Sequence, residues 1–287
     1  MLEFWSYAFM QRAFHAGFVV AILCPTIGIF LVLRRLSMIG EMFAHVSLAG
    51  VALGIFTGTY PLASALGLSL VAAGGLEALR RTYRIFGDLA IAIMISVGIS
   101  LAVVLISLSQ AFNADLFSYL FGSVIAISRA DLFLIRVIGV AVLLFVFLMH
   151  KELFFIAFDE EAARASGVRV DLVNMLFVAA TALTIAVAMR VVGILLVSSL
   201  ITVPVAAGLQ VGKSFRATIL YSYLFALTSV LLGLVVAYYA DLAPGGSIVL
   251  IAVGLFVAAA LCRRLMGIGG KKFVNTATVE TFEREGL

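Results

Sequence analysis

The sequence predicts an all-α fold: a polytopic transmembrane helical bundle of about nine spans, eight to ten, with the N-terminus outside and the C-terminus cytoplasmic. Three observations carry that expectation. Of the 287 residues, 64% belong to the hydrophobic set and only 12% are charged, with a mean hydropathy of +1.23, whereas a soluble domain carries about 25% charged residues. Apolar runs of near ~20 residues recur from one end to the other, each long enough to cross a ~30 Å hydrocarbon core as a helix. Nearly all Lys and Arg sit in short clusters at the ends of those runs. The net charge of +4 and pI of about 9.2 therefore report topology rather than a nucleic-acid partner.

Taken in order, residues 1–12 place Phe4, Trp5, Tyr7 and Phe9 beside Glu3 and Arg12, which suits an interfacial lead-in with aromatics at headgroup depth. No basic region precedes the first apolar run, so a retained span is expected rather than a cleaved signal peptide. Span 1 runs from about His15 to Leu33, with a kink expected at Pro25 and Gly28, and ends at Arg34 and Arg35. Span 2 covers Ser37 to Gly58 and turns at Thr59-Tyr60-Pro61 into span 3, Leu62 to Leu79, which Arg80, Arg81 and Arg84 close. Span 4 runs from Leu89 to Ser109, with Asp88 as its cap. A polar interval holding Asn113 and Asp115 precedes span 5, Leu132 to Met149.

The longest internal hydrophilic stretch, HKELFFIAFDEEAARASGVRVD, follows. It offers the surface on which a soluble partner would dock. Spans 6 and 7, Leu172 to Ala188 and Val191 to Leu209, meet at Met189-Arg190. Span 8 runs from Ala217 to Tyr239, DLAPGG turns, and span 9 covers Ser247 to Leu261. Residues 1–266 read as one transmembrane domain and 267–287 as a polar cytoplasmic tail. Cys24 and Cys262 are expected as two free, buried thiols.

Orientation follows from the basic residues. With the N-terminus outside, fifteen Lys and Arg, from Arg34 and Arg35 to Lys271, Lys272 and Arg284, fall on inner segments, against Arg12, Arg129 and Arg190 outside. The positive-inside rule selects this arrangement.

The chemistry concentrates in RRLSMIGEMFAHVSLAGVALGIFTG, residues 34–58. Glu41 and His45 are four apart, on one face of a helix. A carboxylate plus an imidazole is an ordinary donor set for zinc or manganese. His45 lies ten residues beyond Arg35, roughly 15 Å along a helix and about halfway through the core, a depth at which ionisable groups usually line a pathway. The competing reading has Glu41 reaching the headgroups and His45 bonding a neighbouring carbonyl, and the pair alone weighs both equally. Two donors do not complete a metal shell. A two-fold dimer would supply four, so the shortage predicts dimerisation. Ser47, Ala49, Gly50, Ala52 and Gly54 let helix backbones approach closely, as a helix at a dimer axis requires.

In FDEEAARASGV, Asp159 suits an N-cap, Glu160 and Glu161 suit the positive end of a helix, and Gly167 suits its left-handed stop. A short surface helix results. Asp241 reads either as a turn residue before Pro244-Gly245 or as a receiver of an ion at the outer mouth.

Four strings in order, LVLRRLSMIGEMFAHVSLAGVALG, FDEEAARASGV, VVGILLVSSLITVPVAAG and DLAPGGSIVL, resemble the membrane permease subunits of zinc- and manganese-type ABC importers. The resemblance runs from about Phe9 to Arg264. It implies a homodimer of permeases in the plasma or inner membrane, two cytoplasmic ABC ATPase subunits, and an extracytoplasmic metal-binding protein that delivers the ion. It places the transported metal, zinc first and manganese second, at Glu41 and His45. It implies ATPase coupling through Asp159, Glu160, Glu161, Ala162 and Gly167. The family usually carries Asp where this chain has Glu41, a longer carboxylate. No phosphate-cradling G-x-x-x-x-G-K-[ST] occurs here, so ATP would be bound and hydrolysed on a partner chain, and no permanent cofactor is expected. Two other classes remain at this point. A secondary transporter would use Glu41 and His45 as a proton relay. An intramembrane enzyme would need a nucleophile or a full metal shell within one chain.

Overall fold

A computed structural model describes residues 7–82, 87–109, 114–123 and 125–265 of the chain. The expected lead-in aromatics Phe4 and Trp5, the basic Arg84, Asn113 and the tail 267–287 lie outside the described residues. Within them there are twelve helices and no strand: α1 (Ala8–Leu33), α2 (Met38–Thr57), α3 (Pro61–Thr82), α4 (Gly87–Ser109), α5 (Ala114–Phe121), α6 (Arg129–Leu148), α7 (His150–Phe158), α8 (Glu160–Ala165), α9 (Val170–Val192), α10 (Val197–Val211), α11 (Phe215–Ala240) and α12 (Pro244–Leu265). Eight of them, α1–α4, α6, α9, α11 and α12, are long and apolar enough to cross a membrane, and α10 is a shorter apolar helix. The chain is a multi-pass membrane protein.

α1 and α9 are the most enclosed of these helices and form the middle of the bundle, where Leu23, Ile27, Phe177, Ile185 and Met189 are fully buried. α2 packs most extensively on α4 and α3, and α10 on α11 and α12. Gly28 serves close approach: a Cβ there would lie 2.2 Å from the Ile201 carbonyl oxygen. Cys24 is buried, but Cys262 is exposed, because the α12 face that carries it packs on nothing within the protomer. Asp88 lies in the first turn of α4, where its charge complements the helix dipole.

The largest departure from the sequence reading concerns the sixth and seventh spans. Arg190 is not a loop residue; it lies inside α9, which continues to Val192. The break falls at Gly193, which stands at φ 90 and receives the end of α5 against its backbone: Ile194 N–H donates to the Tyr119 carbonyl at 2.9 Å and Leu195 N–H to that of Leu120 at 3.3 Å. A Cβ on Gly193 would sit 2.5 Å from the Leu120 oxygen. Gly193→Ala should therefore lower stability by about 1–3 kcal/mol through overpacking, with added backbone strain. A depressed Tm in detergent checks this, against Gly246→Ala as control, since a Cβ at Gly246 meets nothing within 4 Å.

Candidate functional site

Glu41 lies in the first turn of α2, one helical turn before His45. Their side chains share a face, with His45 Nε2 4.0 Å from Glu41 Oε1. The two are 21% and 49% exposed respectively, and both belong to a stripe at Met38, Glu41, His45 and Leu48 along which Met38 and Glu41 are exposed and His45 and Leu48 half-buried. That 3-4-3 spacing is one face of a helix. The residues between them, Ile39, Met42, Phe43, Ala44 and Val46, are buried. Thus α2 turns its apolar side inward and its two ionisable groups outward.

Support from behind holds this face in place. Gly98 of α4 presses on the α2 backbone at the histidine itself, where a Cβ would lie 3.0 Å from Val46 N and 3.1 Å from the His45 carbonyl carbon. The small residues after His45 are the close-packing surface the sequence predicts, and the helix they meet is α3 of the same protomer. Gly50 and Gly54 meet α3, with room for no Cβ against Ala65 and Pro61, and Ser47 Oγ bonds Ser69 Oγ at 3.0 Å. They pack α2 onto α3.

Chemically, the pair is short of partners. His45 Nδ1 is buried without a hydrogen-bond partner among the described residues, a costly state for a ring nitrogen. Two donors on one ion at ~2.0–2.2 Å in tetrahedral geometry lie about 3.4 Å apart, so a small side-chain rotation from 4.0 Å would let both reach one metal. No group of three or more His, Cys, Asp or Glu that could hold a metal occurs among the described residues. Within one protomer the donor set stops at two.

At the end of the bundle where α1 closes and α2 begins, the predicted surface helix is present as α8. Asp159 is its N-cap, its carboxylate accepting from Ala162 N at 2.8 Å. Glu160 and Glu161 occupy its first turn, and Gly167 stands at φ 87 just beyond its end. Arg164 anchors the segment to α9 through two bonds to Asp171, at 2.9 and 3.2 Å. Glu160 also faces Arg34 at 3.8 Å. Arg34 is nearly enclosed: it donates to Asn174 Oδ1 at 2.8 Å and lies over the Phe177 ring, 5.6 Å from its centroid. Burial pulls its pKa down, while the Glu160 charge acts in the opposite sense.

The opposite end carries a cluster that sequence reasoning missed. Asp131, 1% exposed, forms a capping box with Ser128, accepts from Arg190 Nε at 3.0 Å and accepts from the Tyr60 hydroxyl. Arg190 also donates to the Ala126 carbonyl at 2.5 Å and covers the Tyr119 ring at 4.4 Å. Burial first, then the Asp131 bond, raises the Tyr60 pKa to about 12, so the phenol remains a donor. The only sequence signal was S-R-A-D at 128–131, a capping-box spacing. Asp241 is the left-handed C-cap of α11 at φ 52, which accounts for its place in the turn.

Comparison with known proteins matches residues 6–263 to the ABC 3 transport family. A probable metal transport system membrane protein of Treponema pallidum is 39% identical over 86% of this chain and 93% of its own length. The manganese transport system membrane protein MntC of Halalkalibacterium halodurans is 31% identical over 88% of this chain and 87% of its own. Among solved structures, PsaBC from Streptococcus pneumoniae in complex with Fab superposes with a TM-score of 0.81 at 30% identity, covering 93% of this chain and 97% of that one.

Proposed function

Since the chain belongs to the ABC 3 transport family, whose members are transport subunits rather than catalysts, we propose that it imports a divalent transition-metal ion, zinc or manganese, by alternating access. The carrying observation is the pair Glu41 and His45, four residues apart on a partly open face of α2, with a buried ring nitrogen left unpartnered. Two copies of the permease would meet across this face and supply two Glu41 and two His45 to one ion, meeting the shortage of donors in a single protomer. The metal is substrate here, bound in passage. The name of the MntC relative favours manganese and the sequence resemblance favoured zinc; carboxylate and imidazole accept both.

In this reading the N-terminus is outside, α8 faces the cytoplasm, and Asp159, Glu160, Glu161, Ala162 and Gly167 form the surface that contacts a separate ATPase chain. An external metal-binding protein would deliver the ion at the opposite end. A single experiment separates this from a gradient-driven transporter: elemental analysis of cells expressing the chain with its ATPase, with ATP depleted and the ion gradient kept. Manganese or zinc accumulation that stops on depletion supports the proposal. Uptake that continues on the gradient alone favours a Glu41/His45 proton relay instead.

A further inference from the structure

A cavity of about 820 Å³ opens between α1, α6, α7 and α11. Its walls are Phe30, Val146, Phe147, Phe154, Phe215 and Ile219. Deeper in, Thr26 and Tyr223 also line it. Thr26 donates to the Ile22 carbonyl at 2.7 Å, so the Tyr223 hydroxyl, 2.9 Å away, donates to Thr26. The interior polar pair is self-satisfied and asks for no water.

The remaining lining residues, His150, Ser214 and Arg216, sit together where α6 ends and α11 begins. Ser214 caps α11 by accepting from Ala217 N at 3.3 Å, which leaves its hydroxyl proton to donate outward. His150 Nδ1 donates to the Phe147 carbonyl at 2.9 Å, so its Nε2 carries the lone pair and the ring serves as mouth wall. Arg216 has no ion-pair partner among the described residues, and Glu152 of α7 does not line the cavity. The mouth thus offers the Arg216 guanidinium and the Ser214 hydroxyl as donors, at the start of a 26-residue helix whose N-terminus adds positive potential.

An apolar chamber between spans with a basic mouth at the membrane surface suits a molecule with a hydrocarbon part and an anionic head. A soluble anion would leave the chamber unfilled. A second copy would oppose like charges, since it would bring its own Arg216 to the same mouth. We propose that the cavity binds an anionic phospholipid, its acyl chain between Phe30, Phe147 and Phe215 and its phosphate held by Arg216 and Ser214. The volume falls within the ~300–1,000 Å³ typical of ligand pockets. This site is independent of which ion is carried.

Native mass spectrometry of the complex taken from nanodiscs of mixed phosphatidylglycerol and phosphatidylcholine tests it. The wild type should retain phosphatidylglycerol preferentially, and Arg216→Glu, an exposed change that leaves the fold alone, should reduce that preference by roughly five-fold or more. Ile219→Trp, which fills the chamber, should abolish retention of both lipids. Equal retention of the two lipids by the wild type would overturn the proposal, as would a preference unchanged by Arg216→Glu. Undiminished retention in a folded Ile219→Trp protein, its Tm unchanged, would also overturn it by removing the cavity from the site.

Discussion

His45→Ala is expected to lower metal accumulation at least roughly ten-fold, the scale on which even outer-shell changes weaken metal sites, while the protein continues to fold and to assemble with its ATPase. The asymmetry follows from the position of the ring. The His45 side chain is 21% exposed and its charged neighbour, Glu41 at 4.0 Å, lies on the same helix, while its Nδ1 has no hydrogen-bond partner to lose among the described residues. Alanine is the best helix former, so α2 should be no weaker. Glu41→Ala should behave alike, and Glu41→Asp should retain uptake, the carboxylate being kept. Elemental analysis of whole cells, paired with co-purification of the ATPase, checks both arms. Undiminished uptake in both alanine variants would remove the site from this face.

Asp131→Ala should have the largest effect on stability, about 3–5 kcal/mol, because it leaves the Arg190 guanidinium buried and uncompensated. The residue is 1% exposed and receives bonds from Arg190 and Tyr60 as well as the Ser128 backbone at 2.9 Å, so three elements lose a partner together. A double change, Asp131→Leu with Arg190→Met, removes both charges and should recover much of the loss, since apolar replacement of a buried pair is often neutral. Thermal unfolding in detergent distinguishes the two variants. If the single change cost no more than the double, the cluster would not be an ion-pair lock.

Arg190 also shows where a sequence stops informing. A cation in an apolar run reads as the end of a span, which is why the sequence predicts that spans 6 and 7 meet at Met189-Arg190. The charge is tolerated inside α9 because Asp131, 59 residues earlier, neutralises it, a pairing no local window contains. The actual break, at Gly193, depends on α5 pressing its terminal carbonyls onto that turn. Similarly, the small residues after His45 were legible as close-packing surface, but only the fold shows that α3 takes it. What was local was readable: the four-residue spacing of Glu41 and His45, the Asp159 cap and the left-handed Gly167 all require no more than their own turn of helix. The eight long apolar helices were readable for the same reason, since span length and hydropathy are properties of a run.

The junction at Arg34 has a mechanical consequence. The chain from α1 to α2 has no slack: Leu36 N–H bonds the Leu31 carbonyl at 2.8 Å, Ile39 N–H bonds that of Leu36 at 3.0 Å, and Arg35 is held at φ 58. Arg34 is clamped on the same elbow by Asn174 and Glu160. A push on α8 is therefore not dissipated in a loose hinge. Any displacement of α8 is carried to the root of α2 by a stiff elbow that ends seven residues before Glu41.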